Sequence, residues 1–395
     1  MPFVRRLEKP ARSRMLLPVV LVTTLLLCAC STGQPSDGAS SSGSASASAA
    51  GGSCADASGT QLPLSEVRAS TPPKQLTGPT TACLPSETIT ALSPAPVPEL
   101  PTTVVDNQGT SVTVTDASRI LALDMSGTLA ATVFALGLGG NVVGRDISTG
   151  FAEAADLPVV TQGGHTLSAE AILALSPTVI VTDSSIGPWD VLLQMRGAGI
   201  PVVVLTPERS IDNAGSIVQG VADALGVSSA GATVTAEVEA RIAATETSIA
   251  ALAPADRAAR VRVMFLYVRG SAGVYYIFGA ESGADALITS LGAIDVASEI
   301  GITDMRPMTA EAIVAAKPDV ILMMTKGLES VGGIEGLLEK VPSIALTPAG
   351  EKRRIVDMSD YDVLSFGTRT PEVLDALARA LYAPEAAART SAATP

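Results

Sequence analysis

One histidine, His165, occurs in the whole chain, in the run Gly163-Gly164-His165-Thr166-Leu167-Ser168-Ala169-Glu170. A single imidazole with no Gly-x-Ser-x-Gly elbow argues against a serine hydrolase. No glycine fingerprint marks a nucleotide site, and a zinc or manganese receptor would usually bring several histidines. A second stretch that could do chemistry is Tyr267-Val268-Arg269 at the end of an apolar run. On a strand, residues two apart share a face, so Arg269 would lie beside Tyr267. Imidazole and phenolate are both able to ligate iron. Each residue also has an ordinary reading: His165 as a surface loop residue, Tyr267 as a packed strand aromatic, Arg269 as a salt-bridged surface residue.

The elements that must position these groups announce themselves through a repeat. Residues 167–181 read LSAEAILALSPTVIV and residues 308–322 read MTAEAIVAAKPDVIL, with eight of 15 positions identical at an offset of 141 residues. In each copy a hydroxyl residue, Ser168 or Thr309, can cap a helix. The helix is broken before Pro177 or Pro318, and a β-branched apolar run then reads as a buried strand. The offset is domain-sized, far longer than the roughly 20–50 residues of a solenoid repeat. Two similar α/β lobes facing each other are expected. Glu170 and Glu311 hold equivalent places at the helix starts, where an acid offsets the helix dipole by about 0.3–1 kcal/mol.

Hydrophobic residues make up 47% of the chain and aromatics only 3%, so the core must be Ala, Val, Leu and Ile. A hairpin is expected over 103–114. Strands are expected at 119–124, 141–145, 201–205, 261–268, 275–278 and 354–357. Helices are expected at 127–138, 189–199, 211–225, 283–291, 333–340 and 371–381. Strands alternating with helices at short spacing mean parallel α/β lobes. Residues 230–252 carry no breaker and form a helix of roughly 35 Å, long enough to link two lobes. The fold class is therefore α/β: two Rossmann-like lobes joined by one long α-helix.

The start of the chain is a leader: five basic residues against Glu8, then an apolar run, then Leu27-Cys28-Ala29-Cys30. It reads as a secretory signal over 1–29, shorter than a spanning helix. The Cys30 context resembles a bacterial lipobox, which implies lipidation of Cys30. Losing the leader's net +4 takes the charge from −13 to −17, which argues against a nucleic-acid partner. Residues 30–101 form a Ser/Ala/Gly tether and a Pro-rich extension, peripheral to the lobes, carrying Cys54 and Cys83. Outside the cytoplasm these two are expected to pair, closing a loop worth about 3–4 kcal/mol by chain entropy. The N-terminal lobe spans 102–228, the linking helix 229–256, the C-terminal lobe 257–384 and a tail 385–395.

An anchored, secreted, two-lobed chain with one linking helix resembles the substrate-binding lipoproteins of ABC importers. It is similar to the class III periplasmic-binding-protein fold, whose members carry haem, siderophores and cobalamin. The Gly164-His165 loop before Ala169-Glu170 and the Tyr267-x-Arg269 strand end resemble the HmuT-type haem-binding lipoproteins. So do Ala345-Leu346-Thr347-Pro348-Ala349-Gly350, Arg354-Ile355-Val356 and Phe366-Gly367-Thr368-Arg369-Thr370-Pro371. The resemblance covers about 102–382. It implies no enzyme but a monomeric receptor on the outer face of the cytoplasmic membrane. Haem, as transported ligand, would have its iron held by His165 from one lobe and Tyr267 from the other. Arg269 would favour the phenolate by its charge. Arg145, Met305 and Met324 are further cleft candidates. Glu170 and Glu311 would dock on the two subunits of an ABC permease served by its ATPase. Upstream surface haem-binding proteins are further partners in this picture. A siderophore or cobalamin receptor of the same class is the alternative, and would not need His165 and Tyr267 in the cleft.

Overall fold

The computed structural model describes Cys54 and residues 61–387. The leader 1–29, Cys30, the tether up to residue 53 and the tail beyond 387 lie outside the described residues. Among the described residues no helix is long and apolar enough to cross a membrane.

The N-terminal lobe is built on three parallel strands in the order Ile120–Leu123, Val179–Thr182, Val202–Val204. All three are buried along their whole length, as continuous aliphatic runs in a covered parallel sheet should be. The hairpin Thr102–Val105 with Ser111–Val114 precedes them. Residues 141–145 do not form the expected strand. They bridge Ile120 at Val142 and Val159 at Arg145. Changing partners midway leaves neither ladder long enough to count as a strand.

In the C-terminal lobe the sheet order begins Thr80–Ala82, Ile355–Met358, Val320–Met324, Arg262–Arg269, and continues to Val274–Phe278 and Met305–Pro307. The first four run parallel. The last three are antiparallel neighbours, which the expectation of a parallel lobe missed. The link between Arg262–Arg269 and Val274–Phe278 is a short 3-10 turn closed by Gly273 at φ 67°. A parallel return needs a crossover of a dozen or more residues, so only a hairpin is possible.

The lobes are joined by the helix Ser228–Leu252. Val234, Val238, Ile242 and Ile249 bury one face, against Ala214–Ala224 and Thr370–Tyr382. Gly231 is required where the helices touch: a Cβ there would sit 2.3 Å from the Cβ of Ala222.

The N-terminal extension is not peripheral. Thr80–Ala82 is the edge strand of the C-terminal sheet, and Leu64, Val67, Ala82 and Leu84 are buried in the main core. From there the chain reaches the other lobe, where the Leu92 amide donates to Ala135 O and the Glu99 amide to Gly226 O. Apolar side chains among the prolines give this stretch a core to join. Cys54 and Cys83 are bonded, with Cα atoms 5.5 Å apart.

Candidate functional site

The two copies of the repeat end in strands that lead into one cleft. Asp183 follows Val179–Thr182, and Met324 ends Val320–Met324. Both line a cavity of about 560 Å³ between the lobes, within the range of small-molecule sites. The wall from the N-terminal lobe is polar, with Ser126, His165, Asp183, Ser185 and Arg209. The wall from the C-terminal lobe is aromatic and aliphatic, with Tyr267, Tyr276, Phe278, Met305, Met324 and Phe366. A second cavity of about 210 Å³ lies between residues 85–93 and the linking helix. Of its charged groups, Arg241 pairs with Glu372 and Arg369 with Asp362.

His165 sits at the tip of a hairpin formed by Thr161–Gln162 and Thr166–Leu167. Gly163 and Gly164 turn the chain with φ of 54° and 96°, the left-handed region that glycine enters without steric cost. This exposed turn pushes the imidazole toward the cleft. Its Nδ1 is 3.3 Å from Ser148 Oγ, which leaves Nε2 as the nitrogen available to a ligand. Partial burial lowers the His165 pKa from its ordinary value, and the positive charge of Arg269 across the cleft lowers it further. The ring therefore tends to be neutral, the state that can donate a lone pair.

Tyr267 lies opposite Tyr276 in the antiparallel register. Strand alternation puts Phe265, Tyr267 and Arg269 on one face. Phe278 stacks on Tyr267 at 5.7 Å and on Phe265 at 5.1 Å. The Arg269 guanidinium lies 4.5 Å from the centre of the Tyr267 ring, a cation–π contact. Arg269 Nη2 donates to Asp360 Oδ1 at 2.6 Å and approaches Met324 Sδ at 3.6 Å.

Behind His165 lies a buried acidic cluster. Asp146 accepts from the amides of Asp124, Ser148 and Thr149, and so fixes the loop that carries Ser148. Burial and the nearby Asp124 raise its pKa to about 7. Asp183 is raised by burial and by Asp124, while Arg209 opposes the shift. Arg209 bridges Asp124 and Asp183, and forms the charged floor of the cleft.

The remaining sequence candidates divide. Met305, more than half exposed, stands at the rim, and Met324 deeper in the wall. Arg145 is not among the lining residues. Its guanidinium turns inward to the carbonyls of Asp146, Thr149 and Ala155, because its backbone is held by residues 158–160. Glu170 and Glu311 are exposed in the first turns of Ala169–Ala174 and Ala310–Ala316. Neither enters an ion pair among the described residues. Arg209, Asp360, Tyr276 and Phe278 were missed. The alternation through Tyr276-Ile277-Phe278 was a signal that an aromatic face would lie beside Tyr267; for Asp360 and Arg209 the sequence carried none.

Comparison with known proteins follows the same lines. The crystal structure of the haem-binding protein HmuT is 40% identical, with a TM-score of 0.76, covering 79% of this chain and all of that one. The same protein has been solved with alanine replacing a histidine, a tyrosine, and an arginine two positions beyond the tyrosine. The periplasmic haem-binding protein RhuT from Roseiflexus sp. RS-1, in apo form, is 38% identical with a TM-score of 0.63, covering 69% of this chain and all of that one. A cobalamin-binding protein of Halobacterium salinarum is 25% identical over 288 residues, 71% of this chain and 73% of its own. The periplasmic binding protein family matches residues 125–361. With two lobes, one linking helix and a ligand-sized cleft between them, the chain belongs to the periplasmic binding protein family.

Proposed function

We propose that this protein is an extracytoplasmic receptor that binds haem as cargo in the inter-lobe cleft and delivers it to an ABC importer. The observation that carries the reading is the juxtaposition of the only imidazole in the chain with a tyrosine–arginine pair from the opposite lobe, across one cleft. Imidazole and phenolate are both haem-iron ligands. The aromatic and methionine-rich wall suits the face of a macrocycle. The structural relatives named as haem-binding proteins support the reading. When bound, the haem would supply an iron needing two axial donors. His165, through Nε2, and Tyr267, through its phenol oxygen, would be those donors, one from each lobe.

The test is a hemin titration of the mature chain. His165→Ala and Tyr267→Ala should each shift the Soret and charge-transfer bands while the fold survives. Wild-type spectra in both variants would remove the ligand assignment. The cobalamin-binding relative keeps a second reading open: tight cyanocobalamin binding without any hemin response would favour it.

Two further parts of the reading concern placement. Cys30 would carry the lipid that anchors the receptor to the outer face of the cytoplasmic membrane. Lipid labelling that persists in Cys30→Ser would remove that assignment. Glu170 and Glu311 would meet basic pockets on the two permease subunits.

A further inference from the structure

We propose that Asp360 is a positioning residue for Tyr267, acting by holding Arg269 over the phenol ring. The proposal rests on the haem reading above and adds a residue to it. Asp360 lies in the turn that follows Ile355–Met358, on a different segment from the residues it governs. Its side chain is only 10% exposed. One carboxylate oxygen accepts from Arg269 Nη2 at 2.6 Å. The other accepts from the Lys326 backbone amide at 2.9 Å, at the start of the helix Thr325–Ser330. The carboxylate is thus fixed from the protein side and presents its remaining oxygen to Arg269.

Arg269 has few other anchors. Its Nη1 donates to its neighbour's carbonyl, Val268 O, at 2.9 Å, and its Nη2 approaches the weak acceptor Met324 Sδ. A long arginine with only these contacts would sample several rotamers. The bond to Asp360 is charge-assisted, the strong kind, and it selects the one in which the guanidinium covers Tyr267 at 4.5 Å. Phe278 covers the ring as well, stacked at 5.7 Å. The phenol is therefore oriented before any ligand arrives. The carboxylate also offsets the guanidinium's charge, so the C-terminal wall presents an ordered dipole rather than a free cation.

The experiment compares Asp360→Ala, Asp360→Asn, Arg269→Ala and the double variant Asp360→Ala/Arg269→Ala by hemin titration. Absorption spectra are recorded alongside, and circular dichroism monitors the fold. Asp360→Ala should shift the charge-transfer band in the same direction as Arg269→Ala and weaken hemin binding by about tenfold, as loss of a group behind a metal ligand commonly does. In the Arg269→Ala background the second substitution should add nothing, because Asp360 then has no guanidinium to hold. Asp360→Asn keeps the volume and one oxygen, and guards against a folding defect in the alanine variant; it should move the band less, in the same direction. The proposal is overturned if both Asp360 variants keep the wild-type band and affinity while Tyr267→Ala loses them. It is equally overturned if Asp360→Ala costs as much without Arg269 as with it. A Tyr267→Ala variant with a wild-type spectrum would instead bring down the ligand assignment itself.

Discussion

At the scale of single residues, the useful fact is that the chain has one imidazole. Its titration can be followed by NMR without assignment. Burial and Arg269 both depress the His165 pKa, so the midpoint in the ligand-free protein should fall below the ordinary 6.5. Arg269→Ala removes the second cause and should move the midpoint upward. A midpoint that stays put would mean that the two side chains do not face each other across the cleft. The sign for stability follows from linkage: the unfolded chain takes up the proton first, so this group's contribution is present above pH 6.5 and is lost as pH falls toward the depressed value. His165, Tyr267 and Arg269 were legible in the sequence because one is unique and the other two share a strand face. Asp360 was not. It is one of 39 acidic residues, and its partner lies 91 positions away; only the tertiary fold brings them together.

At the scale of elements, the repeat was legible down to its caps. Ser168 accepts from the Ala171 amide and Thr309 from the Ala312 amide. Before the prolines both copies enter the left-handed region, at Ser176 with φ 46° and Lys317 with φ 47°. Local rules sufficed there because each signal lies within a few residues of its effect. The extension was illegible for the opposite reason. Proline-rich sequence reads as a linker, and nothing local says that Thr80–Ala82 will pair with Ile355–Met358. The residue that secures this pairing is Arg354, only 1% exposed. Its guanidinium donates to Gly78 O at 3.2 Å, Thr80 Oγ1 at 2.9 Å and the Ala380 carbonyl. It therefore ties the extension to the helix Thr370–Tyr382. Burial without a carboxylate partner pushes its pKa down to about 10. Arg354→Ala leaves those acceptors unpaired and should cost about 2–4 kcal/mol, read as a lower denaturation midpoint. The hemin spectrum should not change, since Arg354 does not line the cleft. An unchanged midpoint would mean that the extension is held by its strand bonds alone.

At the scale of the whole molecule, the two lobes offer their repeat helices in the same way. In both copies the acid is exposed and the isoleucine two positions on is fully buried, Ile172 in one and Ile313 in the other. An exposed acid without an ion pair contributes little to folding, yet it can steer and register a basic partner. Replacing Glu170 and Glu311 together with Ala should leave hemin binding and thermal stability nearly unchanged and reduce stimulation of a reconstituted permease ATPase by haem-loaded receptor. Full stimulation would leave these acids as helix-dipole partners only. The edge strand carries one more consequence, for the order in which the molecule can be made. Thr81 and Asp357, hydrogen-bonded at 2.9 Å, are 276 positions apart. Synthesis delivers residues 80–82 well before residues 355–358. Until the last lobe strand arrives the first strand has no slot to fill, and such distant pairings form slowly. Closing this sheet therefore waits on residues 355–358, and a product cut short before residue 355 would keep Thr80–Ala82 without its partner strand.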